Sequence, residues 1–279
     1  MNEVLVIANR TLGGKKLLDE VRSIASSGDV RFRLVVPQTK PSAGLVIYDE
    51  AVRDSAQARV DLAMSVIADE GIQASGEVGD ADPFLATMDA IGERRPSKII
   101  LSTHPAPTSG WLRRDLIERI ENASGLPVEH VVTDLSQEGL PFHVTLVVAN
   151  KTSSGEELVS HLKQKASASE RPQLFIAVVP QQDGRGLAPR EARIRLAAML
   201  DRLESEGLLA SGMIGEHDPY TAVMNALELF TVDDVVISTL PGERSGWMRT
   251  DLVERVRHAS GKPVEHVVVD LKAAEAAAR

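Results

Sequence analysis

Ser102–Leu116, STHPAPTSGWLRRDL, returns as Ser238–Leu252, STLPGERSGWMRTDL, and the chain's only two tryptophans, Trp111 and Trp247, sit at matching points of the two copies. Extending the comparison outward, Gly71 to Leu135 aligns with Gly207 to Leu271 without a gap, with about half of the positions identical. Upstream, Leu5-Val6-Ile7-Ala8-Asn9-Arg10-Thr11 matches Leu146-Val147-Val148-Ala149-Asn150-Lys151-Thr152. Copies about 140 residues apart are domain-sized, so the repetition is a tandem duplication and not a solenoid. The expected division is 1–135 and 142–271, joined by the polar, Gly/Pro-bearing linker Ser136–Pro141 (SQEGLP) and followed by an Ala-rich tail, 272–279.

The totals agree with two ordinary domains. The chain has 279 residues, 43% of them apolar and 25% charged, enough for a buried core in each half. A formal net charge of −9 argues against non-specific binding to nucleic acid or an anionic membrane, which rests on basic excess. The absence of cysteine removes disulfides, thiolate catalysis and cysteine-ligated metals together. The N-terminus runs directly into the β-branched stretch Val4–Ala8 with no targeting pattern, and no run is long enough to span a membrane. The expected location is cytoplasmic.

Each copy alternates short β-branched runs with helical periodicity, the pattern of a parallel sheet covered by helices on both faces. In the first copy strands are expected near Glu3–Ala8, Phe32–Pro37, Gln73–Val78, Lys98–Thr103 and Val128–Asp134. A helix is expected from Tyr48 to Glu70, with Val52, Ala56, Val60, Ala63 and Ile67 at helical spacing and Gly71 as its breaker. Asp82-Pro83 and Asp218-Pro219 each supply a capping oxygen and a preset φ for the next helix. The fourth helix is expected to begin near Trp111 and to end at Ser124-Gly125.

In an open parallel sheet, ligands lie off the carboxyl ends of the strands where strand order reverses. For an order of 3-2-1-4-5 that point is flanked by the loops after the first and fourth strands, and both loops are repeated. The candidate ligand-binding residues are therefore Asn9, Thr11, Ser102, Thr103, Ser109, Gly110, Trp111, Arg113 and Arg114 in the first copy. In the second they are Asn150, Thr152, Ser238, Thr239, Ser245, Gly246, Trp247 and Arg249. Hydroxyls and a helix N-terminus would suit an anion. The competing account pairs Arg114 with Glu118, Asp115 with Arg119 and Asp251 with Arg255 at i,i+4 spacing, and packs each tryptophan ring on a neighbouring element. Lys15 and Lys16 make the first copy the better anion site, since the second has Glu156 and Glu157 there.

The Val-Gly-Asp before the third helix, the Ser-Thr-His-Pro after the fourth strand and the closing Pro-Val-Glu-His-Val-Val resemble tandem universal stress protein domains over nearly the whole chain. That resemblance implies two Rossmann-like sheets of the adenine nucleotide alpha hydrolase type, order 3-2-1-4-5. It also implies, for many members, ATP held by a G-x-x-G-x9-G-[ST] loop with help from an acid ending the first strand. This chain departs from that pattern in both copies. The first two glycines fall on Ser102 and Pro105, and on Ser238 and Pro241. The final Gly-Ser falls on Arg114-Asp115 and Thr250-Asp251, and the acid is replaced by Asn9 and Asn150. Pro105 removes an N–H and Asp115 would face phosphate with like charge, so ATP or AMP in the family's pose is not expected.

Other constellations are weaker. Gly13-Gly14-Lys15-Lys16 lacks the spacing of a phosphate loop, and no nucleophile elbow or kinase set is present. His130 and His266 alternate with valines on the last strand, without converging metal ligands. The resemblance implies that the halves pair through those strands as a pseudo-dimer, with a homodimer also open. The leading expectation is thus a non-catalytic, stress-related scaffold or interaction protein with no cofactor and no metal. A sensor of a nucleotide or other small phosphate in the first half stands second, and an ATP-hydrolysing or nucleotidyl-transferring enzyme third.

Overall fold

The structure is a computed structural model and describes residues 2–38, 49–105, 111, 115–182, 188–241 and 251–270. The chain divides into two compact units, Met1–Ala43 with Ala56–Pro141, and Gly44–Ser55 with Phe142–Arg279. The first half runs β1 (Asn2–Ile7), α1 (Lys15–Ser26), β2 (Val30–Pro37), α2 (Asp49–Asp69), β3 (Ala74–Gly79), α3 (Pro83–Glu93), β4 (Lys98–Thr103), α4 (Leu116–Ser124) and β5 (Val128–Val132). A single helical turn, α5 (Leu135–Glu138), follows. The second half runs β6 (His143–Val148), α6 (Glu156–Ala168), β7 (Gln173–Pro180), α7 (Ala188–Ser205), β8 (Leu209–Gly215), α8 (Pro219–Leu229), β9 (Asp234–Thr239), α9 (Leu252–Ser260) and β10 (Val264–Val268).

Both sheets are five-stranded and parallel throughout, ordered β3-β2-β1-β4-β5 and β8-β7-β6-β9-β10. The expected α/β architecture and strand order are present twice. Alternation along the strands sorts the core. Val4, Val6, Phe32, Leu34 and Ile100 face Leu17, Val21, Val60 and Ile67 of α1 and α2. Leu5, Ile7, Val35, Ile99 and Leu101 face Ala86 and Ala90 of α3 and Leu116 and Ile120 of α4. The second half buries Val147, Phe175, Ala177 and Val236 against α6 and α7 in the same way. Full burial of side chains such as Phe32 and Phe175 contributes about 1.5–3 kcal/mol each.

Helix caps follow the sequence except at one point. Asp82 accepts from the N–H groups of Phe84 and Leu85, and Asp218 from that of Thr221. Gly125 and Gly261 end α4 and α9 with φ of 64° and 62°, where a Cβ would be strained. The expected start of α4 near Trp111 is not observed: Trp111 lies in a turn and the helix begins at Leu116. The reason is Asp115, whose left-handed backbone (φ 46°, ψ 39°) cannot lie inside a right-handed helix. Asp251 repeats it at φ 47°, ψ 40°.

Candidate functional site

At the carboxyl ends of β1 and β4, and of β6 and β9, a side chain ties the two strand ends together. Thr11 Oγ1 donates to the Ser102 carbonyl at 3.2 Å, and Thr152 Oγ1 donates to the Ser238 carbonyl at 3.2 Å. Thr11, Ser102, Thr152 and Ser238 are all buried. The turn into α1 comes so close to the residue after β5 that a Cβ at Gly14 would overlap Thr133 Cγ2. At Gly155 a Cβ would overlap Val269 Cγ1. Both glycines are therefore required by close approach, with no phosphate needed to explain them.

The other described candidates, the Ser238 hydroxyl excepted, are also engaged. Asn9 Nδ2 donates to the Pro37 carbonyl and Asn150 Nδ2 to the Pro180 carbonyl, each at 3.0 Å. Thr103 Oγ1 donates to the His104 carbonyl at 2.9 Å and lies 2.8 Å from His130 Nε2, so the ring nitrogen is the donor of that pair. Thr239 and His266 repeat the contact at 2.8 Å. Ser102 Oγ lies 3.4 Å from Thr133 Oγ1, whereas Val269 stands in for Thr133 in the second half and leaves Ser238 Oγ without a hydrogen bond. Trp111 packs, partly buried, against the cluster of Leu5, Ile7, Leu101 and Leu116. Ser109, Gly110, Arg113, Arg114, Ser245, Gly246, Trp247 and Arg249 lie outside the described residues.

Two expected pairings are corrected. Asp115 makes no ion pair with Arg119, nor Asp251 with Arg255. The Arg119 guanidinium stacks 4.3 Å from the Phe84 ring centroid and that of Arg255 4.2 Å from Tyr220. With the aspartates in the left-handed turn, the arginines find the aromatic ring of the neighbouring helix instead. Lys16 is likewise drawn away from the crevice, pairing with Glu138 of α5 at 2.6 Å.

Residues not singled out from sequence gather beside the first crevice. Burial, then Arg10, holds the His104 imidazole below its ordinary range, and burial, then Arg10, pushes the Arg59 guanidinium down to about 9. Arg10 thus acts on both His104 and Arg59 at this end of the first sheet. In the second half Leu240 and Lys151 replace His104 and Arg10, a difference the aligned sequences already carry. Among the described residues no set of three His, Asp or Glu side chains is arranged to hold a metal, and no helix is long and apolar enough to cross a membrane.

No protein-family model matches the chain, and no curated protein matches it. Among solved structures it is similar to a universal stress protein from Archaeoglobus fulgidus, 17% identical over 96% of each chain, with a TM-score of 0.35. A putative universal stress protein from Pseudomonas aeruginosa is 15% identical over 97% of this chain and 93% of its own, with a TM-score of 0.35. A protein of the universal stress protein family from Burkholderia pseudomallei, 15% identical, covers 47% of this chain and 95% of its own, with a TM-score of 0.32.

Proposed function

We propose that the chain is a non-catalytic tandem protein of the universal stress type, acting by association, with the ATP loop of that family lost from both halves. The observation that carries this reading is the doubled closure: the Thr11–Ser102 tie with the Gly14–Thr133 contact, and their counterparts at Thr152, Ser238, Gly155 and Val269. Contacts of this kind use groups that a phosphate at the strand-order reversal would otherwise meet, which supports the reading. The same reading makes β5 and β10, both VEHVV and both sheet edges, the strands through which the halves associate.

The test uses the two tryptophans. ATP, AMP and inorganic phosphate are titrated into the full chain while emission is followed, and flat curves for all three are expected. A saturable response to any of them overturns the closed reading.

A second reading, a sensor of a small phosphate anion in the first half, is favoured by Arg10, whose charge reaches both Arg59 and His104. An anion beside Arg10 would offset that charge. Its signature is a saturable response that Arg10→Ala removes.

A further inference from the structure

We propose that a cleft at the amino ends of β2 and β3 binds a small primary amine with an apolar stem, in the first half alone. The cleft has a volume of about 420 Å³. Its floor is apolar: Ala25, Val30 and Ile72 are half-buried and pack on the core beneath α1 and α2. Its walls carry Arg22, Asp29 and Glu70, all of which reach solvent. Floor and walls belong to one open cavity, so a single ligand can touch both. The cleft lies at the opposite ends of the strands from the Thr11–Ser102 tie and stands or falls independently of it.

Charge selects a cation. Arg22 is spent, donating to both carboxylate oxygens of Glu70 and to Asp19. The Asp29 carboxylate has no hydrogen bond or ion pair among the described residues. Helices α1 and α2 both end at the cleft, and neither has a basic residue in its last turn, so the negative ends of two helix dipoles add to Asp29. A phosphate or carboxylate would be repelled by all three. An ammonium would be attracted by each, while a hydrocarbon stem covers the apolar floor.

The second half supplies at this end what the first leaves out. Strand register anchors the comparison, with Val4 opposite Phe32 and Thr145 opposite Phe175. Gly28 then falls on Arg171 and Asp29 on Pro172. The last turn of α6 carries Lys165 and that of α7 carries Arg202. Arg202 pairs with Glu206, the counterpart of Glu70, at 2.6 Å. The first half has Ile24 and Val66 at the positions of Lys165 and Arg202. One copy therefore neutralises its helix C-termini with its own cations, and the other presents them to an open cleft.

Hexylamine, hexan-1-ol and hexanoate are titrated into the full chain at matched ionic strength, and the backbone amides of Gly28 and Gly71 are followed by NMR. Saturable shifts centred on these two glycines are expected with hexylamine, weaker binding with hexanol and none with hexanoate. Asp29→Asn should weaken hexylamine by at least about threefold, the scale of one exposed charge pair. Val66→Arg, which tethers a guanidinium where α7 has Arg202, should weaken it comparably and serves if the asparagine variant fails to fold. A flat hexylamine titration, equal affinity for hexylamine and hexanol, or a folded Asp29→Asn that binds hexylamine as the parent does would overturn the proposal.

Discussion

Thr103 Oγ1 and His130 Nε2 lie 2.8 Å apart on neighbouring strands of the first sheet, and Thr239 and His266 lie 2.8 Å apart in the second. Burial lowers both histidines from 6.5, and the described surroundings supply no acid to oppose it. A base depressed in the folded state takes up protons more readily when unfolded. Stability is therefore complete above about pH 6.5 and is lost as pH falls from there toward the folded pKa values. His104 acts in the same direction. Thermal midpoints from pH 8 to 5 should fall on acidification, and should fall less in His130→Gln/His266→Gln, where glutamine still donates to the threonine but cannot charge. Identical profiles for variant and parent would refute this.

The two halves also hold a comparison between a buried ion pair and its apolar replacement. Glu3 and Arg33 are buried and meet at 3.1 Å, with Arg33 also donating to the carbonyls of Ala90 and Arg94. The aligned positions in the second half are Val144 and Ile176. Glu3→Ala alone should cost up to about 3–5 kcal/mol, because it removes the buried partner of Arg33 and leaves only the more exposed Glu93 and Glu77, at 3.5 and 3.8 Å. Glu3→Val/Arg33→Ile should cost much less than the single change. Urea unfolding decides, and a double variant as unstable as the single one would contradict the argument.

Gly14→Ala should destabilise the first half by about 1–3 kcal/mol, since the new methyl meets a fully buried neighbour. Thr133→Ser removes the obstructing Cγ2 and keeps the hydroxyl near Ser102, so adding it should recover part of the loss. Additive costs in the double variant, again by urea unfolding, would show that the close approach is not the cause.

Asp115 and Asp251 carry left-handed backbone without a side-chain capping bond. Glycine at either position relieves strain but gives up a charge favoured at a helix N-terminus, each effect being about 1 kcal/mol or less. Asp115→Gly should thus lie close to neutral, while Asp115→Val should cost more than about 1 kcal/mol. Equal midpoints for the glycine and valine variants in thermal unfolding would remove strain as the explanation.

Much of this fold is legible in the sequence. The strand at Lys98–Thr103 and the caps at Asp82, Asp218 and Gly125 fell where expected, because β-branched runs and capping chemistry are local signals. The start of α4 was not readable, because an aspartate in left-handed conformation looks like any helical aspartate in a sequence. The site divided along the same line. Asn9, Thr11, Ser102 and Thr103 were legible as strand-end residues, but their spent hydrogen bonds depend on neighbours 27 to 91 positions away. The stacking of Arg119 on Phe84 and of Arg255 on Tyr220 escaped notice because a contact between helices leaves no mark in residue order.

The all-parallel pairing has a kinetic consequence. With no hairpin in either sheet, each strand pair must close a whole crossover before its first ladder bond forms, which makes early collapse slow and entropically costly. During that interval β4 and β9 face two interchangeable suitors, since β5 and β10 share the sequence VEHVV. Refolding should therefore pass through a strand-exchanged species that must unpair before the native order is reached. That phase should shrink when one copy is recoded, for example by Val131→Ile/Val132→Thr, and a refolding trace unaltered by recoding would show that the two copies never compete.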